Sequence, residues 1–194
     1  MSLRFARAVS AHDYECVRRL NHRIFAEEVG QHEVTEDGLL VDRFEHKSTY
    51  YLAWDGTEAV GMVCVHGDPP FSVESRFPPD LKIESIPGRK LEVRLLAILP
   101  GRRNGMAFAG LLGPMILDAL DLGYETLLIS GIAERLDLYR SLGFEALGPP
   151  VESGRARYAP MMMRLDALPE HIRIGIARWR RRAGTGLGRL LPAG

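Results

Sequence analysis

The sequence predicts a mixed α/β (α+β) fold, in which helices flank one central sheet. Segments rich in β-forming residues alternate with amphipathic segments along most of the 194 residues, and glycine or proline separates them. Hydrophobic residues make up 46% of the chain and charged residues 26%, proportions that are typical of a single compact domain. We therefore expect one domain over residues 1–166, followed by a basic helix and a linker-like tail over residues 167–194.

The first third of the chain predicts a helix followed by a hairpin. Apolar residues recur at three- and four-residue steps over residues 12–29, as on one face of an amphipathic helix. The polar stretch over residues 30–48 is long enough to be a functional loop or a broken helix. Residues 50–54 and 59–66 are rich in β-forming residues, and Asp55-Gly56 between them predicts a tight turn.

The remainder predicts an irregular segment and then alternating strands and helices. Prolines at positions 78, 79 and 87 argue against a continuous helix in residues 71–90. Strands are predicted at residues 91–99, 125–132, 144–147 and 158–165, and helices at residues 106–122 and 134–142. Gly123 and Gly143 are suitable residues to end the two helices, and Pro114 predicts a kink or a missing hydrogen bond inside the first of them.

The turn between the strand at residues 91–99 and the next helix carries the clearest functional signal. Its glycines let the backbone approach a ligand closely, and the first N–H groups of a helix favour an anion. Because two arginines add positive charge, a pyrophosphate is the ligand that fits this turn. The predicted cofactor-binding residues are Arg102, Arg103, Asn104, Gly105, Met106 and Ala107. The alternative interpretation is a basic turn that only caps a helix.

Three segments in order resemble the GNAT (Gcn5-related N-acetyltransferase) superfamily. The R-x-x-G-x-A spacing from Arg102 to Ala107 resembles its acetyl-CoA-binding signature, residues 92–100 look like its central strand, and residues 138–144 are similar to its late helix-to-strand junction. The resemblance covers about residues 50–165. It implies a sheet that splays open at the central strand, where pantetheine pairs with the backbone of Leu96, Ala97 and Ile98.

The resemblance also implies the chemistry of acyl transfer from acetyl-CoA, with Tyr139 donating a proton to the departing sulfur. Glu92, at the start of the central strand, is a candidate general base, provided that burial raises its pKa. We expect a backbone N–H near Ala97 or Ile98 to polarise the thioester carbonyl. The alternatives are a core tyrosine and a carboxylate that is solvated or ion-paired with Arg94. Many relatives have Asn where this chain has Ile132, so one contact to CoA is expected to be missing.

A second resemblance concerns the N-terminal half. Residues 23–30, 42–45 and 50–53 look like the opening of acyl-homoserine-lactone synthases and N-acyl amino acid synthases, which use longer acyl chains. Two positions depart from that pattern, since Asn21 and Leu95 stand where arginines are expected. A long-chain N-acyl amino acid synthase or acyl-homoserine-lactone-type synthase is therefore the alternative to a small-molecule N-acetyltransferase that uses acetyl-CoA.

The acceptor is expected to contact the first helix, the loop over residues 30–48 and the segment over residues 71–90. Carboxylates there suit an ammonium group and an arginine suits a carboxylate, as for an amino acid or another small zwitterion. The predicted acceptor residues are Asp42, Glu45, Glu74 and Arg76. The alternative interpretation is a solvated loop with scattered charges. His32, His46 and His66 are expected at the surface or in loops, with no spacing that suggests a metal site.

Composition excludes several classes of function and leaves others open. No apolar stretch is long enough to span a membrane, no basic stripe with aromatics suggests nucleic-acid binding, and no C-x-x-C pair suggests a metal. We expect a cytoplasmic protein with reduced Cys16 and Cys64, and the sequence is compatible with a homodimer.

The tail carries two further hypotheses. Trp179 is expected to pack on the domain. Residues 190–194 are similar to the opening of class V aminotransferase domains, which suggests fusion to or association with such a domain. A module that binds acyl-CoA without turnover and regulates a fused enzyme is the remaining alternative.

Overall fold

The computed structural model describes residues 3–154 and 156–183, and in it eight strands form one sheet. The strands are β1 (Arg4–Arg7), β2 (Thr49–Asp55), β3 (Glu58–His66), β4 (Lys90–Ile98), β5 (Thr126–Ile132), β6 (Glu145–Ala146), β7 (Val151–Ser153) and β8 (Ala156–Arg164). Their order is β1-β2-β3-β4-β5-β8-β6, and β7 also pairs with β8. The β4–β5 pair is parallel and the other pairs are antiparallel, so the predicted mixed sheet is confirmed.

Helices cover both faces of this sheet. Those in the described part are α1 (Ala11–Asn21), α2 (Gly105–Asp121), α3 (Leu136–Ser141) and α4 (Glu170–Ala183). On β2, Tyr50 packs edge-on against Tyr14 of α1, with 5.9 Å between ring centroids, whereas Tyr51 donates a 2.8 Å hydrogen bond to Asp118 of α2. Because successive strand side chains point to opposite faces, α1 and α2 lie on opposite faces. We call these the α1 face and the α2 face.

Several predicted elements change in the structure. The helix predicted at residues 12–29 is α-helical only to Asn21 and continues as a π-helix over His22–Glu28, because the apolar spacing does not distinguish the two hydrogen-bond patterns. The helix predicted at residues 134–142 begins as the 3₁₀ turn Ala133–Arg135. The sequence does not predict β1 and β7, which have four and three residues, too few to show an alternating pattern.

Other local predictions are confirmed. Residues 71–90 form no long helix, only the 3₁₀ turns Ser72–Arg76 and Ile83–Ser85. Gly123 and Gly143 follow α2 and α3 with φ of 74° and 101°, a left-handed conformation that glycine adopts without strain. α2 continues through Pro114, which has no N–H to donate to the preceding turn.

The sheet opens between β4 and β5. The two strands pair only from Lys90 to Glu92 of β4, opposite Thr126–Leu128 of β5, and then diverge. On its other side β4 bulges against β3, and Leu95 in the bulge has φ of 50°, an unfavourable backbone conformation for a leucine. This splay at the central strand confirms the predicted architecture.

α4 packs against α2 on the α2 face. The indole of Trp179 meets the ring of Phe5 edge-on, with 5.9 Å between centroids. Gly113 of α2 leaves room for the indole, since a Cβ there would lie 2.5 Å from its Cδ1 atom. The predicted packing of Trp179 on the domain is confirmed. The division at residue 166 stays a prediction, and residues 190–194, on which the fusion hypothesis rests, lie outside the described residues. Within the described ranges, every helix is too short or too polar to cross a bilayer.

Candidate functional site

A cavity of about 990 Å³ passes through the gap between β4 and β5. Its polar limb, on the α1 face, includes Asn21, Asp42, Arg43, Ser72, Arg76 and Arg94. Its apolar limb, on the α2 face, includes Phe108, Leu112, Ile116, Phe144, Ile172 and Ile176. The two limbs meet at the unpaired part of β4, so a ligand in the gap can reach both faces of the sheet.

The predicted cofactor turn lies at the N-terminus of α2. Asn104 caps the helix, and its side-chain oxygen accepts a 2.9 Å hydrogen bond from the Ala107 N–H. Apart from its chain neighbours and the backbone of α2, no atom in the described part of the chain lies within 4 Å of the position that a Cβ would take at Gly105. Met106 is exposed and Ala107 is buried. The turn therefore presents an open helix N-terminus, as the sequence predicts.

Both arginines of this turn are ion-paired in the structure. Arg102 contacts Asp55 in the hairpin at 2.6 Å, and Arg103 contacts Glu28 at 2.6 Å. Arg103 Nε also donates a 2.9 Å hydrogen bond to the Ile98 carbonyl. The arginine side chains are 42% and 46% exposed, and ion pairs this exposed contribute little free energy. An anion that binds at the helix N-terminus would therefore compete only with these weakly bound carboxylates for the two arginines.

The end of β4 lines the gap. Ala97 and Ile98 are buried and Leu96 is half-buried, and all three border the cavity. In the described part of the chain, no residue of β5 pairs with β4 beyond Glu92. An extended ligand can therefore pair with this edge as an added strand would.

Tyr139 faces the cavity from α3, on the α2 face. Its ring packs edge-on against Phe144 at 6.5 Å, and Gly131 of β5 admits the ring, because a Cβ at Gly131 would lie 2.9 Å from its Cδ2 atom. Burial raises the pKa of Tyr139, although a hydrogen bond from the Ile132 backbone partly offsets this. The phenol therefore stays protonated at neutral pH, as a proton donor requires.

Glu92 has no exposed side-chain surface, and its oxygens are hydrogen-bonded throughout. Oε1 accepts from Ser72 Oγ at 2.6 Å and from the Val73 N–H at 2.8 Å, and Oε2 accepts from the Ser72 N–H at 2.7 Å. Burial raises the pKa of Glu92, but the hydrogen bonds of His66 and Ser72 outweigh it and hold this pKa below its ordinary value. The condition for Glu92 to act as a general base, a pKa raised by burial, is therefore not met, because a carboxylate that accepts this many hydrogen bonds favours its charged form.

His66 is buried beside Glu92, so the expectation of a surface or loop histidine is wrong. Its Nε2 lies 3.0 Å from Glu92 Oε2, and its Nδ1 lies 3.0 Å from the Asp68 carbonyl. A carbonyl and a carboxylate both only accept hydrogen bonds. The imidazole therefore lies between two acceptors, and its Nε2 is within ion-pair distance of the Glu92 carboxylate. Its ring lies between Phe44 and Phe71, at 5.3 and 5.5 Å between centroids.

The three acids predicted to bind an ammonium group already have partners. Asp42 binds Arg94 at 2.5 and 2.9 Å and accepts from Tyr50 at 3.2 Å. Burial opposes the ionisation of Asp42, but Arg94 outweighs it and lowers the pKa of Asp42. The other two predicted acids, Glu45 and Glu74, do not line the cavity. Glu45 binds Arg18, and Glu74 accepts a hydrogen bond from the Phe71 N–H.

Arg76, the fourth predicted acceptor residue, is in the polar limb. Its guanidinium lies 5.3 Å from the centroid of the Tyr158 ring, and its Nη1 donates to the Ser72 carbonyl at 3.3 Å. Nε is buried with no hydrogen-bond partner among the described residues. Arg43 also borders this limb, so the limb carries excess positive charge once Asp42 and Arg94 neutralise each other. The described part shows no group of three His, Cys, Asp or Glu side chains placed to hold a metal ion.

No protein-family model and no curated protein sequence matches the chain, whereas solved structures do. MesI, a CoA-dependent acyl-homoserine lactone synthase, matches with a TM-score of 0.69 at 19% identity, over 98% of this chain and 100% of its own. FeeM, an N-acyl amino acid synthase from uncultured soil microbes, matches with a TM-score of 0.69 at 17% identity, over 86% and 93%. A candidate N-acetyltransferase from Lactobacillus plantarum matches with a TM-score of 0.63 at 13% identity, over 85% and 99%.

At these identities the similarities show the fold and not the reaction. The chain has the GNAT-type fold that these proteins share, so the predicted fold is confirmed. Both resemblances noted in the sequence are represented among the matching structures.

Proposed function

We propose that the chain is an N-acyltransferase that moves a medium or long acyl group from a CoA thioester to the amine of a small acceptor. The observation that carries this proposal is the cavity that passes through the splayed sheet, with a polar limb on one face and an apolar limb on the other. The match to structures of acyl-homoserine lactone and N-acyl amino acid synthases supports it.

The donor occupies the gap and the α2 face. The CoA pyrophosphate binds the helix N-terminus from Gly105 to Ala107, where the dipole favours an anion, and displaces Arg102 and Arg103 from their exposed ion pairs. Pantetheine pairs with the free edge of β4 from Leu96 to Ile98, as an added strand does.

The acyl chain extends into the apolar limb. The whole cavity is about 990 Å³, at the top of the range of about 300–1,000 Å³ for small-molecule sites. An acetyl group would leave most of the apolar limb without a partner, whereas a longer chain would bury its methylenes there. We therefore favour the long-chain alternative over the acetyl transfer expected from the signature at Arg102.

The reaction exchanges one bond for another. The acceptor nitrogen forms a C–N bond with the thioester carbonyl, the C–S bond breaks, and a proton passes from nitrogen to sulfur overall. Tyr139 donates a proton to the departing thiolate and regains one from the amine through water. A backbone N–H near Ala97 polarises the carbonyl oxygen. Because its pKa is low and its oxygens are bonded, Glu92 is proposed to hold the Ser72 segment rather than to act as the base.

Calorimetric titration with acetyl-, octanoyl- and palmitoyl-CoA, with free CoA as the control, tests the donor. Affinity is expected to rise from acetyl- to octanoyl-CoA, because the added methylenes enter the apolar limb. Tight binding of acetyl-CoA with no gain for longer chains would support the N-acetyltransferase instead. If no thioester binds, the proposed function is wrong.

Gly175 of α4 is expected to control the length of acyl chain that is accepted. It borders the apolar limb, and apart from its chain neighbours and the backbone of α4 no atom of the described residues lies within 4 Å of the position of a Cβ there. Gly175→Leu would place an isobutyl group in this space and reduce kcat/KM for palmitoyl-CoA more than tenfold relative to octanoyl-CoA. Gly175→Ala is the matched control, since it strengthens the helix by about 1 kcal/mol while adding one methyl group. An unchanged chain-length profile in Gly175→Leu would place the acyl chain elsewhere.

A further inference from the structure

Three polar side-chain atoms that are buried without a hydrogen-bond partner belong to residues that border the cavity. These are Asn21 Oδ1, Arg76 Nε and Ser130 Oγ. Buried polar atoms in proteins are nearly always hydrogen-bonded, and each exception needs an explanation. A ligand in the polar limb that supplied one donor or acceptor to each atom would explain all three.

Asn21 lies at the end of α1, with 2% of its surface exposed. Its Nδ2 donates a 2.8 Å hydrogen bond to the Leu40 carbonyl, which can only accept. This bond determines the orientation of the side-chain amide and leaves Oδ1 as the atom without a donor. The free atom is therefore a neutral acceptor that is suited to an N–H or O–H group.

Ser130 lies on β5 just beyond the point where β4 and β5 diverge. Side chains alternate along β5, and Leu128, two residues earlier, packs against Phe71 and Val73 on the α1 face. Ser130 therefore faces the polar limb as well. Its partner on β8 is Pro160, whose nitrogen carries no hydrogen. The Ser130 hydroxyl can receive an N–H or donate to an oxygen.

Of the three atoms, Arg76 Nε is the one that belongs to a charged group, and it can only donate a hydrogen bond. No ion pair forms at its guanidinium among the described residues, because the neighbouring acids Asp42 and Glu92 are bound by Arg94 and His66. A ligand carboxylate is the natural partner for a half-buried guanidinium that has no acidic partner and whose Nε has no acceptor.

The charges around the polar limb come from several elements. The charged and titratable groups that border the cavity are His32, Asp42 and Arg43 of the loop, Arg76, Arg94 of β4, Arg103, Arg135, Tyr139, Tyr158 and His171. Within the polar limb the ion pair of Asp42 with Arg94 leaves Arg43 and Arg76 in excess. Positive charge in this position disfavours an ammonium ion and favours the neutral amine.

We propose that Asn21, Ser130 and Arg76 form a subsite for an amino acid that binds with its amine neutral. Arg76 binds the carboxylate, and Asn21 Oδ1 and Ser130 Oγ accept the two amine N–H bonds. The nitrogen lone pair then points at the thioester carbonyl, and no side chain has to remove a proton before the attack. This proposal rests on the proposed acyl transfer and specifies its acceptor.

The first test compares acceptors with octanoyl-CoA as the donor. Each common amino acid is assayed against the amine that lacks its carboxylate, and the amino acid is expected to have a kcat/KM at least tenfold higher. Equal use of the two acceptors would overturn the subsite. A chain that neither binds octanoyl-CoA nor acylates any amine would instead overturn the proposed function, so the two failures are distinguishable.

The second test uses variants of the subsite. Ser130→Ala is expected to raise KM for the amino acid about tenfold by removing one hydrogen bond, whereas Ser153→Ala, a serine that borders the same cavity, is the matched control. Arg76→Lys keeps the charge but removes the Nε–H, and is expected to raise KM in the same way. KM values equal to those of the unsubstituted chain in both variants would contradict the assignment.

The third test is the dependence of kcat on pH. In the unsubstituted chain kcat is expected to be flat above neutral pH, because the bound amine is already neutral. Asn21→Asp would place a carboxylate against the amine, stabilise the ammonium form, and make kcat rise with pH over about one further unit. A purely structural role of Asn21 would lower kcat without moving this profile, and that result would also overturn the proposal.

Discussion

Replacement of Tyr139 by phenylalanine is expected to lower kcat for acyl transfer by 10- to 10⁴-fold, the range for loss of a general acid. Tyr139 borders the cavity, and burial keeps the pKa of Tyr139 above its ordinary value, so the phenol remains a proton donor. Steady-state kinetics with octanoyl-CoA and an amino acid acceptor measure the loss. The affinity for octanoyl-CoA is expected to stay unchanged, because the phenyl ring keeps its contact with Phe144.

A matched variant separates this effect from a general change in the fold. Tyr124→Phe also removes one hydroxyl, from a ring that lies outside the large cavity and stacks 4.2 Å from the guanidinium of Arg89. Its kcat is expected to match that of the unsubstituted chain. Full activity in Tyr139→Phe would exclude the acid role, and normal thioester binding with no transfer in the unsubstituted chain would favour a regulatory binding module.

Glu92→Gln is expected to lower the free energy of unfolding by about 3 kcal/mol at neutral pH, the cost of removing a buried charged acceptor from the donors that surround it. Glutamine would remove the carboxylate that lies 3.0 Å from His66 Nε2. Its amide NH₂ group would also face the N–H donors of Ser72 and Val73, which need an acceptor. Urea unfolding, with the midpoint and slope measured for both chains, gives the difference.

The pH dependence of this difference in free energy of unfolding provides an independent check. The pKa of Glu92 is lower in the folded chain than its unfolded value of about 4.3. Its contribution to stability is therefore fully present above that pH and is lost as the pH falls through the folded pKa. The difference in free energy of unfolding between Glu92→Gln and the unsubstituted chain should therefore become smaller in acid. Glu15→Gln, which alters an exposed ion pair with Arg19, is the control and should unfold like the unsubstituted chain at neutral pH. A difference in free energy of unfolding that stays constant in acid would mean that Glu92 is not ionised in the folded chain.

The sequence is sufficient to predict features that depend on residues close together along the chain. The glycine-containing turn before α2 and the glycines that follow α2 and α3 all involve residues within a few positions of each other. The order of strands and helices also follows from local periodicity. The splay of the sheet could be expected only from the family resemblance, because it depends on which strands fail to pair.

The acceptor end of the site could not be predicted in the same way. Asp42 meets Arg94 across 52 positions of sequence and Glu45 meets Arg18 across 27, so neither acid is free to bind an amine. The burial of His66 depends on Phe44 and Phe71, which come from two different loops. Asn21 was noticed only as a departure from an expected arginine, and Ser130 carried no signal that distinguishes it from any other serine in a strand.

The short β4–β5 contact has a consequence for the mechanics of the domain. Only the pairs from Lys90 to Glu92 connect the two halves of the sheet directly, so the seam between the halves is weaker than the sheet on either side. In the proposed complex, a thioester along Leu96–Ile98 would complete this seam, and its binding free energy would add to the stability of the folded chain by mass action. The proposed donor would thus also serve as a removable strand of the sheet, and the folded chain would resist opening most strongly when the thioester is bound.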